Sequence, residues 1–312
     1  MTVTALPKSP PAIGREARRP SFSAVLALLK PVTWFPPMWA LGCGVVSSGV
    51  SIRQNGASIV GAILLAGPLI CGTSQAANDW FDRHVDAINE PHRPIPSGRV
   101  PGRWGLAVAI VWTALSLVVA ALLGRWVFLA SILGLSIAWA YSAPPLRLKQ
   151  NGWWGNTAVG LCYEGLPWFT GAAAVAHEHL PDPRITFLAV LYSAGAFGIM
   201  VLNDFKAIEG DHKLGVRTLP VQLGVGNAVA VACVVMAVPQ FVAVGFLLQQ
   251  NRPIEAAIVG ALLAAQMLMM RYLAGEPRKR APLYNAIGTT FYVLGMLVCA
   301  FAMRALLAGS PT

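Results

Sequence analysis

The chain has 312 residues, of which 56% are hydrophobic and 12% charged, about half the charged fraction of a soluble domain. With a mean hydropathy of +0.60, it has too few charges to cover a water-soluble protein of this size. A soluble enzyme, a disordered chain and a disulfide-stapled secreted scaffold are excluded. Lys and Arg (23) outnumber Asp and Glu (13), but the basic residues fall in short gaps between apolar runs, so the surplus reads as membrane topology and no nucleic-acid partner is expected.

In chain order, residues 1–21 form a basic cytoplasmic tail with Lys8, Arg15, Arg18 and Arg19 among prolines. It is a poor secretory signal, because Lys30 and Pro31 soon break the apolar stretch that follows. A bilayer core requires about 20 mostly apolar residues per helix. Nine runs meet that need, at about 31–52, 58–78, 104–123, 126–142, 156–175, 185–203, 224–249, 254–273 and 284–307. The fifth contains Glu164 and Pro167 and is expected to be broken or tilted. Residues 22–312 are therefore read as one all-α membrane domain of about nine transmembrane helices. The five cysteines lie in or beside apolar stretches with no CxxC, as small core residues do. Trp34, Trp39, Trp153, Trp154 and Trp168 read as interface anchors.

The gaps alternate in charge. One side holds the tail with Lys30, then Arg83, Arg93, Arg99 and Arg103, then Arg147 and Lys149, then Lys206, Lys213 and Arg217, then Arg271, Arg278, Lys279 and Arg280. The other side holds Arg53, Arg125, Arg184, Arg252 and Arg304. An 18 to 5 split places the N-terminus inside and the C-terminus outside by the positive-inside rule.

The acids are more informative. Asp79, Asp82, Asp86 and Glu90 follow the second run, and Asp204, Glu209 and Asp211 follow the sixth, so seven of 13 acids fall in two short segments on the cytoplasmic side. NDWFDRHVD (78–86) and NDFKAIEGD (203–211) share Asn-Asp at the start, an aromatic third residue and Asp at the ninth place. Their separation is compatible with an internal duplication of helix groups. If the second helix continues through its motif, Asp79, Asp82 and Asp86 lie at i, i+3 and i+7, on one face; Asp204 and Asp211 have the same seven-residue relation. A single such acid reads as a solvated helix end or a salt bridge. Two clusters in an acid-poor membrane chain read as a divalent metal site, because facing carboxylates repel without a cation between them. Hard oxygen donors suit Mg²⁺, which takes further ligands from water and substrate phosphates.

Around the acids are groups that a diphosphate needs. Arg93 sits in a loop stiffened by Pro91, Pro94 and Pro96; Lys149, Lys206, Lys213 and Arg217 supply point charges and a second guanidinium. Tyr141, before Ser142-Ala143-Pro144-Pro145, either touches substrate or marks the headgroup level. Metal, diphosphate and a lipid-facing cavity together point to ionisation of an allylic prenyl diphosphate in a site from which water is excluded. No Ser/His/Asp or Cys/His set competes.

The segment NDWFDRHVDAINEPHRPIPSGR resembles the first Asp-rich motif of the UbiA-type intramembrane prenyltransferases, and NDFKAIEGDHKLGVRTLP resembles their second, with Ala207 where many members carry another Asp. KPVTWFPPMWA, YSAPPLRLKQNGWWGN, CYEGLPWFTG and VLNDFKAIEGDHKLG are similar to the chlorophyll and bacteriochlorophyll synthase branch, and TWFPPMW and CYEGLPW incline to its bacteriochlorophyll side. The resemblance covers roughly residues 22–225. It implies nine helices around a central cavity and a bacterial inner membrane, cytoplasmic or intracytoplasmic and photosynthetic. It also implies Mg²⁺ held by Asp79, Asp82, Asp86, Asp204 and Asp211, supported by Asn78, Asn203 and Glu209, with Arg93 and Lys149 on the diphosphate. The implied reaction joins the 17-propionate of bacteriochlorophyllide a to geranylgeranyl or phytyl diphosphate, with pigment-protein assemblies as further partners. A propionate with an ordinary pKa is already ionised at neutral pH, so no general base is required. Chlorophyllide, a quinone precursor or haem as acceptor, and a cation transporter built on intramembrane acids, are the alternatives.

Overall fold

The computed structural model describes residues 19–308, so most of the basic tail, including Lys8, Arg15 and Arg18, lies outside the described residues. Among the described residues there are helices and no strands. α1 (Phe22–Leu29) is capped by Ser21, whose side chain accepts from the Ala24 N–H. It ends at Lys30, a non-glycine residue in the left-handed region (φ 48°). A 3₁₀ turn, Pro31–Thr33, leads into α2 (Phe35–Ser47), and the two halves meet at 58°. The break is splinted locally: Trp34 Nε1 donates to the Leu29 carbonyl and Thr33 Oγ1 to that of Lys30, both at 2.8 Å.

α3 (Gly56–Leu64) and α4 (Gly72–Asn89) form one 34-residue rod through a π-helical stretch, Leu65–Cys71. Pro68 lies inside that stretch; it has no N–H to donate, and a widened turn accommodates it. α5 (Trp104–Leu122) and α6 (Arg125–Ser142) follow, joined through Gly124 at φ 117°. α7 (Gly152–Gly160) and α8 (Leu166–Ala176) are again one rod with a π-helical stretch, Leu161–Gly165, between them. α9 (Pro183–Asn203), the short α10 (Ile208–Leu214), α11 (Leu219–Gln249), α12 (Pro253–Gly275) and α13 (Pro277–Ala308) complete the bundle.

By length and apolarity seven of these rods can cross a membrane, or eight with the bent α1–α2 pair counted as one span. The remaining expected span, the fifth in chain order, is the α7–α8 rod. It carries Asn156 and Glu164 and is interrupted where the sequence led us to expect a break. The protein is a multi-pass membrane protein of the expected all-helical class.

Small residues let the rods approach closely, as in many membrane bundles. α2 crosses α8 at Gly44 and Gly171: a Cβ on Gly44 would stand 1.9 Å from the Trp168 carbonyl oxygen, and one on Gly171 would stand 2.1 Å from that of Leu41. Three buried polar contacts tie helices together. Trp168 Nε1 donates to Ser47 Oγ at 3.2 Å, Tyr292 Oη to the Tyr192 carbonyl at 2.6 Å, and Gln266 Nε2 to Tyr284 Oη at 3.0 Å. We expect Gly171→Leu to lower stability by about 3 kcal/mol, the upper part of the overpacking range, read as a fall in the thermal unfolding midpoint in detergent; Gly42→Ala, which meets open space, should leave that midpoint near wild type.

Candidate active site

The first acidic motif lies on the unbroken helix α4, so the expected one-face arrangement of Asp79, Asp82 and Asp86 is realised. Asp79 is fully buried. Its Oδ1 accepts from Lys30 Nζ at 2.6 Å and from Arg93 Nη1 at 3.4 Å. The same Arg93 nitrogen donates to Asp86 Oδ2 at 2.8 Å. Asp82 accepts from Lys149 Nζ at 2.5 Å and from Arg147 Nη2 at 3.3 Å. Three acids are thus met by four cations from three separate segments.

The loop that presents Arg93 is built for rigidity. Its backbone bonds to Glu90 O and accepts from Ser97 N, both at 3.0 Å, and Arg99 Nη2 caps the His92 carbonyl at 2.8 Å. Burial works against the Arg93 charge, but Asp79 and Asp86 more than restore it, and the guanidinium is held above its ordinary value. Burial pushes the Lys149 ammonium below the usual lysine value, with Asp82 pulling the other way. An anionic partner therefore supports the Lys149 charge against burial.

The sequence points to Arg93 and Lys149, whereas Lys30 and Arg147 read there only as membrane topology. The available signal was position: Lys30 stands at the break before Pro31, and Arg147 is two residues from Lys149.

The second motif is not one helix. α9 ends at Asn203, a 3₁₀ turn spans Asp204–Lys206, and Ala207 (φ −110°, ψ 0°) separates it from α10. A seven-residue spacing brings side chains onto one face only while the helix continues, so the helical relation expected for Asp204 and Asp211 does not hold. The chain folds back instead: Thr218 Oγ1 donates to Asp211 Oδ2 at 3.3 Å. Burial raises the Asp211 carboxyl above the usual range, and this hydrogen bond partly offsets the rise. Asp204 lies beside Asn156 and within electrostatic reach of Asp211 and Lys206. Asn203 Oδ1 accepts from Asn285 Nδ2 at 2.9 Å. Lys206, Glu209, Lys213 and Arg217 are exposed, and none of their side chains enters an ion pair among the described residues.

The two motifs meet at one end of the bundle through the segment between α6 and α7. Asn151 and Arg217 form an isolated parallel bridge, in which Arg217 N donates to Gln150 O at 2.9 Å and Gly152 N to Arg217 O at 2.8 Å. A Cβ on Gly152 would stand 2.5 Å from Leu219 N, which is why glycine occupies this crossing. The segment tied to the second motif thus carries the lysine that binds the first. Tyr141 lies between them, within electrostatic reach of both Asp82 and Asp204.

Beside this polar end is a cavity of about 510 Å³. Asn78, Asn203 and Tyr141 line it, with Phe35, Trp39, Ile70, Ile137, Met200 and Met296 among its apolar wall. Asn78 Nδ2 donates to Ser142 Oγ at 3.2 Å. Each lining asparagine immediately precedes the first aspartate of its motif. Among the described residues, no three His, Cys, Asp or Glu side chains stand close enough together to hold one metal ion. Two hard oxygens are nevertheless uncommitted: Asp79 Oδ2 and Asp204 Oδ2 are both buried without a hydrogen-bond partner. Such oxygens fit a divalent cation.

Residues 28–294 match the UbiA prenyltransferase family. The chain belongs to the UbiA prenyltransferase family. It is therefore a membrane prenyltransferase, and the match runs past residue 225, where the motif resemblance stops, into α13. The chain is 54% identical, over 92% of its own length and 95% of the relative's, to the bacteriochlorophyll synthase 33 kDa chain of Cereibacter sphaeroides. It is 38% identical to the chloroplastic chlorophyll synthase of Oryza sativa subsp. japonica, over 89% of this chain and 76% of that one. A UbiA homolog from Archaeoglobus fulgidus, solved bound to DMAPP and Mg²⁺, shares its fold with a TM-score of 0.68 at 22% identity, covering 92% of this chain and 100% of that one.

Arg93 holds two acids and Lys30 one, so the two cations differ in what they leave behind. Arg93→Met leaves Asp86 with no cation and is expected to cost about 3 kcal/mol of stability; Lys30→Met leaves Arg93 on Asp79 and should cost less. Thermal unfolding of both variants in the same detergent checks the order.

Proposed function

We propose that this prenyltransferase transfers a geranylgeranyl or phytyl group from its diphosphate to the 17-propionate of bacteriochlorophyllide a. The reading rests on the 54% identity to the bacteriochlorophyll synthase chain across nearly the whole of both proteins. Transfer to chlorophyllide a is the second reading, favoured by the 38% identity to chlorophyll synthase. Quinone and haem acceptors have no such support. A cation transporter would need acids along a path across the bundle, whereas both motifs lie at one end, joined through residues 149–152 and 217.

Asp79, Asp82, Asp86, Asp204 and Asp211 are the residues that would hold Mg²⁺, with Asn78, Asn203 and Glu209 beside them. When bound, Mg²⁺ supplies positive charge to the departing pyrophosphate. Arg93 and Lys149 bind phosphate oxygens, the first as a guanidinium fork and the second as a point charge. Lys206, Lys213 and Arg217 supply a further basic rim. The bond from the prenyl C1 to the diphosphate oxygen breaks, and its electron pair leaves with pyrophosphate. A propionate oxygen then bonds to C1 and forms the ester. The acceptor is already an anion, so no residue has to remove a proton. Tyr141 and the two lining asparagines stand where the polar end meets the cavity, and the apolar wall keeps water from the allylic carbon. The N-terminus lies on the cytoplasmic face of a bacterial inner or intracytoplasmic photosynthetic membrane, a placement supported by the charge split along the sequence.

Asp79→Asn is expected to lower turnover at least ~100-fold, the scale of losing a principal electrostatic element, while the protein still inserts and stays monodisperse. Transfer of labelled geranylgeranyl diphosphate to bacteriochlorophyllide a in membranes carrying each variant measures this. Chelation of divalent metal should stop transfer by the wild type, and added Mg²⁺ should restore it. Ester formation on chlorophyllide a alone would favour the second reading.

A further inference from the structure

One carboxyl group faces the cavity, and it belongs to neither acidic motif. Glu164 is 6% exposed, lines the cavity, and has its Oε2 buried with no hydrogen-bond partner. It is the one acid among the residues that line this cavity. No Lys, Arg or His pairs with it among the described residues. Its carboxyl accepts a hydrogen bond from the Ala196 backbone, which leaves Oε2 open; also within its electrostatic reach are the Cys43 thiol and the Tyr292 hydroxyl, and that hydroxyl is committed to the Tyr192 carbonyl. Two other polar groups of the wall are engaged, Gln75 with Tyr163 at 3.1 Å and Asn78 with Ser142, while Trp39 Nε1 on the same wall is buried without a partner.

Local structure fixes this placement. Glu164 sits in the π-helical stretch Leu161–Gly165 between Gly160 and Gly165. A Cβ at Gly165 would stand 2.1 Å from Ser193 Oγ, and one at Gly160 would stand 2.4 Å from the Ser193 carbonyl oxygen. The rod is therefore pressed onto α9 on both sides of Glu164, and cannot rotate the carboxyl away. An isolated π-helical turn of this kind recurs at functional sites. A buried carboxylate oxygen without a partner is costly in a membrane, and an ionisable group there marks a function by default.

The partner must come from a ligand. A prenyl chain offers a carboxyl group nothing, and a diphosphate repels it. The acceptor offers a magnesium ion held by four ring nitrogens with an axial position open, a hard Lewis acid that suits a carboxylate oxygen. We infer that Glu164 is a specificity-determining residue that seats the acceptor by binding its central magnesium axially through one carboxylate oxygen. This rests on the acceptor proposed above. Anchoring the macrocycle at its centre leaves the edge that carries the propionate free to face the end where the two motifs meet.

The test is equilibrium binding to the full-length protein in nanodiscs, comparing bacteriochlorophyllide a with its metal-free form, bacteriopheophorbide a, and following the visible absorption band that responds to axial ligation. Wild type should bind the magnesium form at least ten-fold more tightly and shift that band. Glu164→Leu should lose both the preference and the shift while still binding geranylgeranyl diphosphate, and Glu164→His, which restores an axial donor, should regain them. In turnover, KM for the acceptor should rise in Glu164→Leu with KM for the donor unmoved. A preference for the magnesium form that survives in Glu164→Leu overturns the assignment, as does equal binding of both forms by wild type. If Glu164→Leu does not fold, equal binding or an unshifted band in wild type still overturns it. Binding of neither form by wild type overturns the acceptor reading itself, and the assignment with it.

Discussion

The structure depends on compensating charge that a membrane will not otherwise tolerate. α4 carries Asp79, Asp82 and Asp86 on one face, and Asp79 is fully buried. An uncompensated ion at such a depth costs several kcal/mol. The compensation arrives from three places that are distant in sequence: Lys30 at the α1–α2 break, Arg93 in the proline-stiffened loop, and Arg147 with Lys149 before α7. Each cation fixes its segment against α4. The left-handed turn at Lys30, the loop bonds around Arg93 and the bridge from Asn151 to Arg217 are the local geometries that allow them to reach. One set of ion pairs thus assembles the polar end of the protein and places the second motif beside the first.

The cavity beside that end has a different origin. Both π-helical stretches contribute to its wall, Ile70 and Cys71 from one and Cys162, Tyr163 and Glu164 from the other. They also contact each other across it, since Tyr163 Oη receives a hydrogen bond from Gln75 and lies 3.6 Å from Cys71 Sγ. A π turn puts more residues into each turn than an α turn does, so it widens the rod locally and re-aims the side chains that follow. Where both rods widen, the bundle cannot close to native packing density, and a ligand-sized space is left.

Sequence patterns revealed most of this, for reasons that differ by residue. The apolar runs and the i, i+3, i+7 acids of the first motif were legible because α4 is a regular helix and periodicity carries through it. Arg93 was legible because prolines flank it. The second motif misled because its seven-residue spacing matches that of the first motif, while the backbone at Ala207 leaves the helical region. The number of spans shifted because the α7–α8 rod is too polar to qualify alone; it is held by close glycine contacts with α9 and α2 together with Trp168, Ala172, Ala173, Ala174 and Val175 in the core. Lys30 and Arg147 were hidden because a cation near a membrane boundary has a sufficient explanation in topology, and only coordinates distinguish one that reaches an acid from one that does not.

The difference between the two groups of cations follows from the same charge balance. Lys30, Arg93, Arg147 and Lys149 are already paired with acids, whereas Lys206, Lys213 and Arg217 are exposed without ion partners among the described residues. On the proposed reaction, a magnesium diphosphate brings anionic oxygens and a divalent cation together. On that reading the acids would hold the metal, and the cations now paired with them would be free to meet phosphate oxygens, so that each charge would keep a partner. Lys149, whose ammonium is weakened by burial and supported by Asp82, is the cation for which that exchange matters most. The unpaired rim has no partner to give up and can meet an anion first. A site charged only by acids would leave facing carboxylates to repel in the metal-free protein, and one charged only by free cations would hold no metal. Ion pairs on α4 with an open basic rim around the second motif satisfy both requirements in one fold.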